Sequence, residues 1–113
     1  MAYIHSVKIV RTGRYQRDLK RLRASADDIA RLEMAIATDP AVGGVIPGLR
    51  GIRKRRFGMA GQGKRGGGRA IYFLVLADDV ALMLHAYAKN DKVDLTTADK
   101  RILREIVKEF ING

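Results

Sequence analysis

The chain is predicted to fold as an α+β domain, a small antiparallel sheet carrying two N-terminal helices and a C-terminal helix, from three features of its sequence. The first is a pair of β-rich apolar runs, "RAIYFLVLA" (69–77) and "VALMLHAYA" (80–88), joined by Asp78 and Asp79 alone, which reads as an antiparallel hairpin. The second is helical periodicity at both ends of the chain, Tyr15/Leu19/Leu22 near the start and Ile102/Leu103/Ile106/Val107/Phe110 near the finish. The third is the element order, one strand, two helices, three strands and a helix. A length of 113 residues fits one domain spanning 1–113, with neither an internal repeat nor a low-complexity segment.

Taken in order, "YIHSVKIV" (3–10) is β-branched and aromatic enough for a strand. "GRYQRDLKRLR" (13–23) repeats its apolar positions at i, i+4 and i+7, an amphipathic helix with a basic outer face. Ser25 is placed to cap a second helix with Asp28 in its first turn and Ile29, Leu32 and Ile36 facing inward. Asp39-Pro40 ends it, and "AVGGVIPGLRG" (41–51) reads as loop. "IRKRRF" (52–57) is short enough for one strand, whose alternation sets Ile52, Lys54 and Arg56 on one face and Arg53, Arg55 and Phe57 on the other. After the hairpin, "KNDKVDL" (89–95) is a polar connection, and Thr96 or Thr97 caps the last helix.

Charge is the strongest global signal. Lys and Arg number 22 against 12 acidic residues, a net charge of +10. From Arg50 to Arg69 the chain carries Arg50, Arg53, Lys54, Arg55, Arg56, Lys64, Arg65 and Arg69 with no acid among them. Like charges packed this densely repel one another, and a polyanionic partner is the economical explanation. Cysteine is absent, which excludes disulfides and thiolate metal sites. No apolar run approaches the ~20 residues of a membrane span or the pattern of a signal peptide, so a cytoplasmic setting is expected.

The stretch "GMAGQGKRGGGR" (58–69) fits two phosphate-binding patterns, G-x-x-x-x-G-K and G-x-G-x-x-G. Both require a helix after the loop, and the first requires Ser or Thr after its Lys to hold a metal. Here Lys64 precedes Arg65 and three glycines, a poor helix start, and a strand follows. A nucleotide site is therefore not expected. A glycine-rich turn between two strands, flanked by Lys64, Arg65 and Arg69, suits the phosphates of a nucleic-acid backbone instead.

"VIPGLRGIRKRRF", "GQGKRGGGRAIYFLVL" and "LHAYAKNDKVDLT" with the following "LREIV" helix resemble the RelE/ParE superfamily of toxins, in particular the HigB-like branch of type II toxin–antitoxin systems. The resemblance covers roughly Gly43 to Phe110, and its most specific part is G-K-R-G-G-x-R, then I-Y-F, then Y-x-K-N. It implies a curved antiparallel sheet of the RelE-like, microbial-ribonuclease-like kind with helices on one side. It also implies a ribosome-dependent mRNA endonuclease that cuts message in the A site and inhibits translation. The implied partners are the ribosome, mRNA and a cognate antitoxin of helix-turn-helix type, with neither a membrane nor a small-molecule nucleotide.

Metal-free RNA cleavage uses the ribose 2′-OH as nucleophile and needs a base, an acid and cations for charge growing on phosphorus. The sequence offers no acidic cluster or His pair spaced to hold a metal, so no cofactor is expected. By position, Lys54, Arg56 and Arg69 match basic residues of the family's site. Arg56 and Arg69 suit phosphate charge, because a guanidinium forks onto two oxygens. Lys54 is the candidate for proton transfer, its ammonium disfavoured by neighbouring arginines. Lys64, Arg65 and Lys89 would grip message or ribosomal RNA; Arg53 and Arg55, on the other strand face, would be solvated or bind ribosomal RNA. Several relatives carry a Tyr or His near the start of the last helix, whereas "DKVDLTTADK" (91–100) has none. Asp91 and Asp94 suit capping or solvation, His85 and Tyr87 suit packing, and the acid–base pair stays open. A non-enzymatic module that blocks the ribosome by occupancy is the alternative. A gyrase-poisoning relative fits less well, since the basic strand and glycine loop match the message-cutting branch.

Overall fold

The computed structural model describes residues 6–59, 67–92 and 94–113. Five strands form one sheet in the order β1-β5-β4-β3-β2, with β1 at Lys8–Arg11, β2 at Gly44–Val45, β3 at Ile52–Phe57, β4 at Gly68–Val75 and β5 at Val80–Ala88. Helices α1 (Gly13–Leu22) and α2 (Ala26–Thr38) lie between β1 and β2, and α3 (Thr97–Asn112) closes the chain. The fold is α+β.

Local chemistry explains the boundaries. Thr12 caps α1, its hydroxyl accepting from the Tyr15 amide and donating to Met83 O at 2.7 Å, which ties the helix start to β5. Ser25 caps α2 in a reciprocal box with Asp28, and Thr96 caps α3 in the same way with Asp99. The strand from Gly68 stops at Val75 because a 3₁₀ turn, Leu76–Asp78, and a left-handed Asp79 make the hairpin wider than Asp78-Asp79 alone.

Four features depart from the sequence reading. β1 pairs parallel to β5, so the sheet is mixed at one edge; two helices and three strands separate these strands in sequence, and no hairpin dictates their direction. Gly44–Val45, read as loop, pairs with Lys54 and Arg53 as a two-residue edge strand, too short to show alternation. Apolar residues pack on both faces of the sheet rather than one. Tyr15, Leu32, Ile36, Tyr72 and Met83 form a core with α1 and α2, while Ile52, Ile71, Leu82, Leu84 and Leu103 form a second with α3. The apolar stripe of α3 is only partly covered: Leu103 is buried and Ile106 and Val107 are partly so, but Ile102 and Phe110 are exposed. No described helix is long and apolar enough to cross a membrane.

The register of β4 on β5 slips between Ile71 and Tyr72, which pair with His85 and Met83 and leave Leu84 unopposed. β1 ends opposite Met83, and beyond it Asp18 of α1 takes the place of a strand. Its Oδ2 accepts from the Ala86 amide (3.0 Å) and from His85 Nδ1 (2.6 Å). A carboxylate can only accept, so this contact puts the imidazole proton on Nδ1.

Candidate nucleic-acid interface

Alternation along β3 sends Arg53 and Arg55 to the α2 side and Lys54 and Arg56 to the opposite face. On that face Arg56 lies directly opposite Arg69 of β4, and Arg69 directly opposite Tyr87 of β5. Lys54 sits one pleat away, opposite Ile71. These side chains open into a groove of about 490 Å³ whose walls are Gly44–Pro47 on one side and Lys89 and Asp94 on the other. Lys54, Arg56, Arg69 and Lys89 thus share one concavity. Lys64 and Arg65 lie outside the described residues, in the connection between β3 and β4 whose ends meet as the pair Phe57–Gly68.

The cations differ in how they are held. Lys54 Nζ stands 3.9 Å from Asp94 Oδ1, so the arginines are not its only charged neighbours. Arg69 donates to its neighbour's carbonyl, Gly68 O, at 3.0 Å. Among the described residues, no ion pair restrains Arg56, Arg69 or Lys89. Two arginines placed directly opposite across a strand pair destabilise the sheet by up to about 1 kcal/mol, so the register itself calls for an anion between them.

On the other face the guanidinium of Arg53 donates to Ala41 O (3.1 Å) and Gly43 O (2.6 Å). With Tyr72, whose hydroxyl donates to Pro40 O at 2.7 Å, it fixes the loop that leads into β2. Arg55 is half-buried near α2, with Nη1 unpartnered among the described residues. The structure therefore separates Arg53 and Arg55 from the groove cations.

Tyr87, opposite Arg69 on β5, belongs to the core beneath the sheet and does not line the groove. It is 1% exposed, its hydroxyl has no hydrogen-bond partner among the described residues, and Lys92 Nζ lies 5.1 Å above its ring. Burial pushes its pKa up, and Asp94 adds to this while Arg69 opposes it, so the phenol is protonated at neutral pH. His85 is packed beside it, ring centroids 5.5 Å apart. No group of three His, Asp or Glu among the described residues could hold a metal ion.

Two parts of the groove were hidden in the sequence. The wall Gly44–Pro47 was hidden by the Gly43-Gly44 pair at its start, although the apolar pair Val45-Ile46 between Gly44 and Pro47 is a faint strand signal. Asp94 was read as a capping or solvated residue, and only the fold shows that the connection after β5 brings it to the cations.

Known proteins match this chain in two ways. The family model for the RelE toxin of the RelE/RelB toxin–antitoxin system matches residues 7–112. Among solved structures, a double-arginine mutant of the E. coli toxin RelE in the free state is similar, with a TM-score of 0.54 and 12% sequence identity. That similarity covers 78% of this chain and 88% of the other, and at such identity it speaks for the fold.

Proposed function

The chain belongs to the RelE toxin family of toxin–antitoxin systems, and from that premise we propose that it is a ribosome-dependent mRNA endonuclease of the HigB-like branch. It cuts message in the A site by metal-free attack of the ribose 2′-OH, and so inhibits translation. The observation that carries this reading is the opposed pair Arg56 and Arg69 in a groove shared with Lys54 and Lys89.

Each residue has a role in this reading. Arg56 and Arg69 hold two oxygens of the scissile phosphate and stabilise the charge that grows on it, the kind of contact whose removal costs about 10²–10³ in rate. Lys54 takes part in proton transfer. Lys89, with Lys64 and Arg65, grips the flanking backbone, and the ribosome helps impose in-line geometry. Arg53 and Arg55, on the far face, contribute through loop structure or contact with ribosomal RNA. A cognate antitoxin, of helix-turn-helix type and encoded nearby, keeps the groove from the ribosome in the cytoplasm.

The test is induced expression of wild type and of the double variant Arg56→Ala/Arg69→Ala, with message ends mapped by primer extension. Wild type is expected to arrest growth and leave new ends in translated messages, and the adjacent open reading frame to relieve the arrest. The double variant should be folded by circular dichroism and harmless. Arrest without new ends would favour blocking by occupancy instead, and a toxic double variant at equal expression would reject the groove.

A further inference from the structure

A groove built for phosphate has reason to exclude carboxylates, since each one repels the ligand. This groove holds Asp94. Its side chain is 65% exposed, and its Oδ1 lies 3.9 Å from Lys54 Nζ while accepting from the Leu95 amide at 2.8 Å. Asp99 caps α3 and binds Lys92 and Arg14, Asp18 holds His85, and neither they nor Asp91 line the groove. Among the described residues lining the groove, Asp94 is the one carboxylate. The Leu95 amide and Lys54 both face Oδ1, and Oδ2 has no hydrogen-bond partner among the described residues.

We infer that Asp94 and Lys54 are the acid–base pair of the cleavage reaction, with Asp94 the proton acceptor at the ribose 2′-OH and Lys54 the donor at the leaving oxygen. The inference rests on the endonuclease reading above. A phosphate held by Arg56 and Arg69 enters between the two groups and parts them. Asp94 takes the 2′-OH proton as the O2′–P bond forms, and the P–O5′ bond breaks as the Lys54 ammonium protonates O5′. The products are a 2′,3′-cyclic phosphate and a 5′-hydroxyl end. Asp94 is left neutral and Lys54 uncharged, and transfer of one proton between them restores the ion pair. No outside oxidant, reductant or metal is consumed. This pairing supplies what the last helix lacks, a proton acceptor beside the arginines.

The experiment is single-turnover cleavage of message on programmed ribosomes by the full chain, with binding measured in parallel. Asp94→Asn retains an oxygen for the Leu95 amide and removes the base. It is expected to bind as tightly as wild type or tighter, and to cleave about 10²–10⁴-fold more slowly. Lys54→Arg keeps the charge but cannot give up its proton, so it should also bind normally and cleave at least about 10²-fold more slowly. If Asp94 only capped the loop, Asp94→Asn would cleave at the wild-type rate. Cleavage by Asp94→Asn at the wild-type rate overturns the assignment while the endonuclease reading stands. Wild-type protein that leaves translated message intact removes that reading, and this inference with it.

Discussion

Asp18 joins the helical half of the molecule to the sheet, and its surroundings explain how a buried carboxylate can stay charged there. Burial pushes its pKa up, but the His85 ring and the Ala86 amide bond to it and carry it below the ordinary value, helped by the Arg21 charge. Truncation would strand two buried donors, His85 Nδ1–H and Ala86 N–H, each costing about 1–3 kcal/mol. Asp18→Ala is therefore expected to lose about 2–4 kcal/mol in chemical denaturation. Asp99 is lowered as well: burial opposes the shift, and the bonds from Lys92 and Thr96 outweigh it. A depressed folded pKa stabilises the native state above the unfolded value, about 3.9 for Asp, and that stability is lost as pH falls through the folded value. The denaturation midpoint should hold between pH 7 and pH 5 and fall below about pH 4, less steeply in Asp18→Ala. None of this was legible in sequence. His85 reads as a packed histidine, but its partner lies 67 residues away, and the register slip at Leu84 that accompanies their contact leaves no local mark.

At the level of elements, the glycine run shows why one composition admits several readings. Its end is structural: Gly67 has φ +57°, and a Cβ there would come within 2.9 Å of Phe57 O, while one on Gly68 would meet the Phe57 ring at 2.5 Å. Phe57 belongs to the core under α1 and α2, and its neighbour Arg56 faces the groove. Gly68→Val is thus expected to cost about 1–3 kcal/mol by overpacking and to weaken RNA cleavage by displacing the Arg56–Arg69 pair. Gly58→Ala, with nothing within 4 Å of the added carbon, should change thermal stability by less than about 0.5 kcal/mol. Equal melting of the two variants would show that Phe57 does not need the space. Elements whose pattern is local were legible: "IRKRRF" forms a strand over the residues its alternation marks, and the capped helices begin at Ser25 and Thr96. What failed were features set by distant partners, the parallel edge at β1, the short β2 and the uncovered turn of α3 around Phe110. The groove cations were legible for the same local reason, because period two alone puts Lys54 and Arg56 on one face. Asp94 was not, because a loop's direction is not encoded in a period.

Over the whole molecule, the surplus of +10 is not shared evenly between its two sides. On the helical side three cations meet acids, Arg11 with Glu33, Arg21 with Asp18 and Arg31 with Asp28, while Arg17, Lys20 and Arg23 have no ion pair among the described residues. Around the groove the described residues offer Asp94 alone. Arg56, Arg69, Lys54 and Lys89 converge on one concavity, and a single-stranded RNA bound there would displace counterions. For single strands the logarithm of affinity falls with the logarithm of salt by about 0.7 per phosphate neutralised, so four groove cations give a slope near about −3. Arg56→Ala or Lys89→Ala should each flatten that slope by about 0.7, measured by anisotropy of a labelled oligonucleotide across a salt series. Arg53→Ala removes the same charge from the opposite face and should leave the slope unchanged, as should Arg21→Ala, whose guanidinium is already paired with Asp18. If all four variants flattened the slope alike, RNA would be held by the overall charge of the protein, and the groove would lose its claim to the phosphate chain.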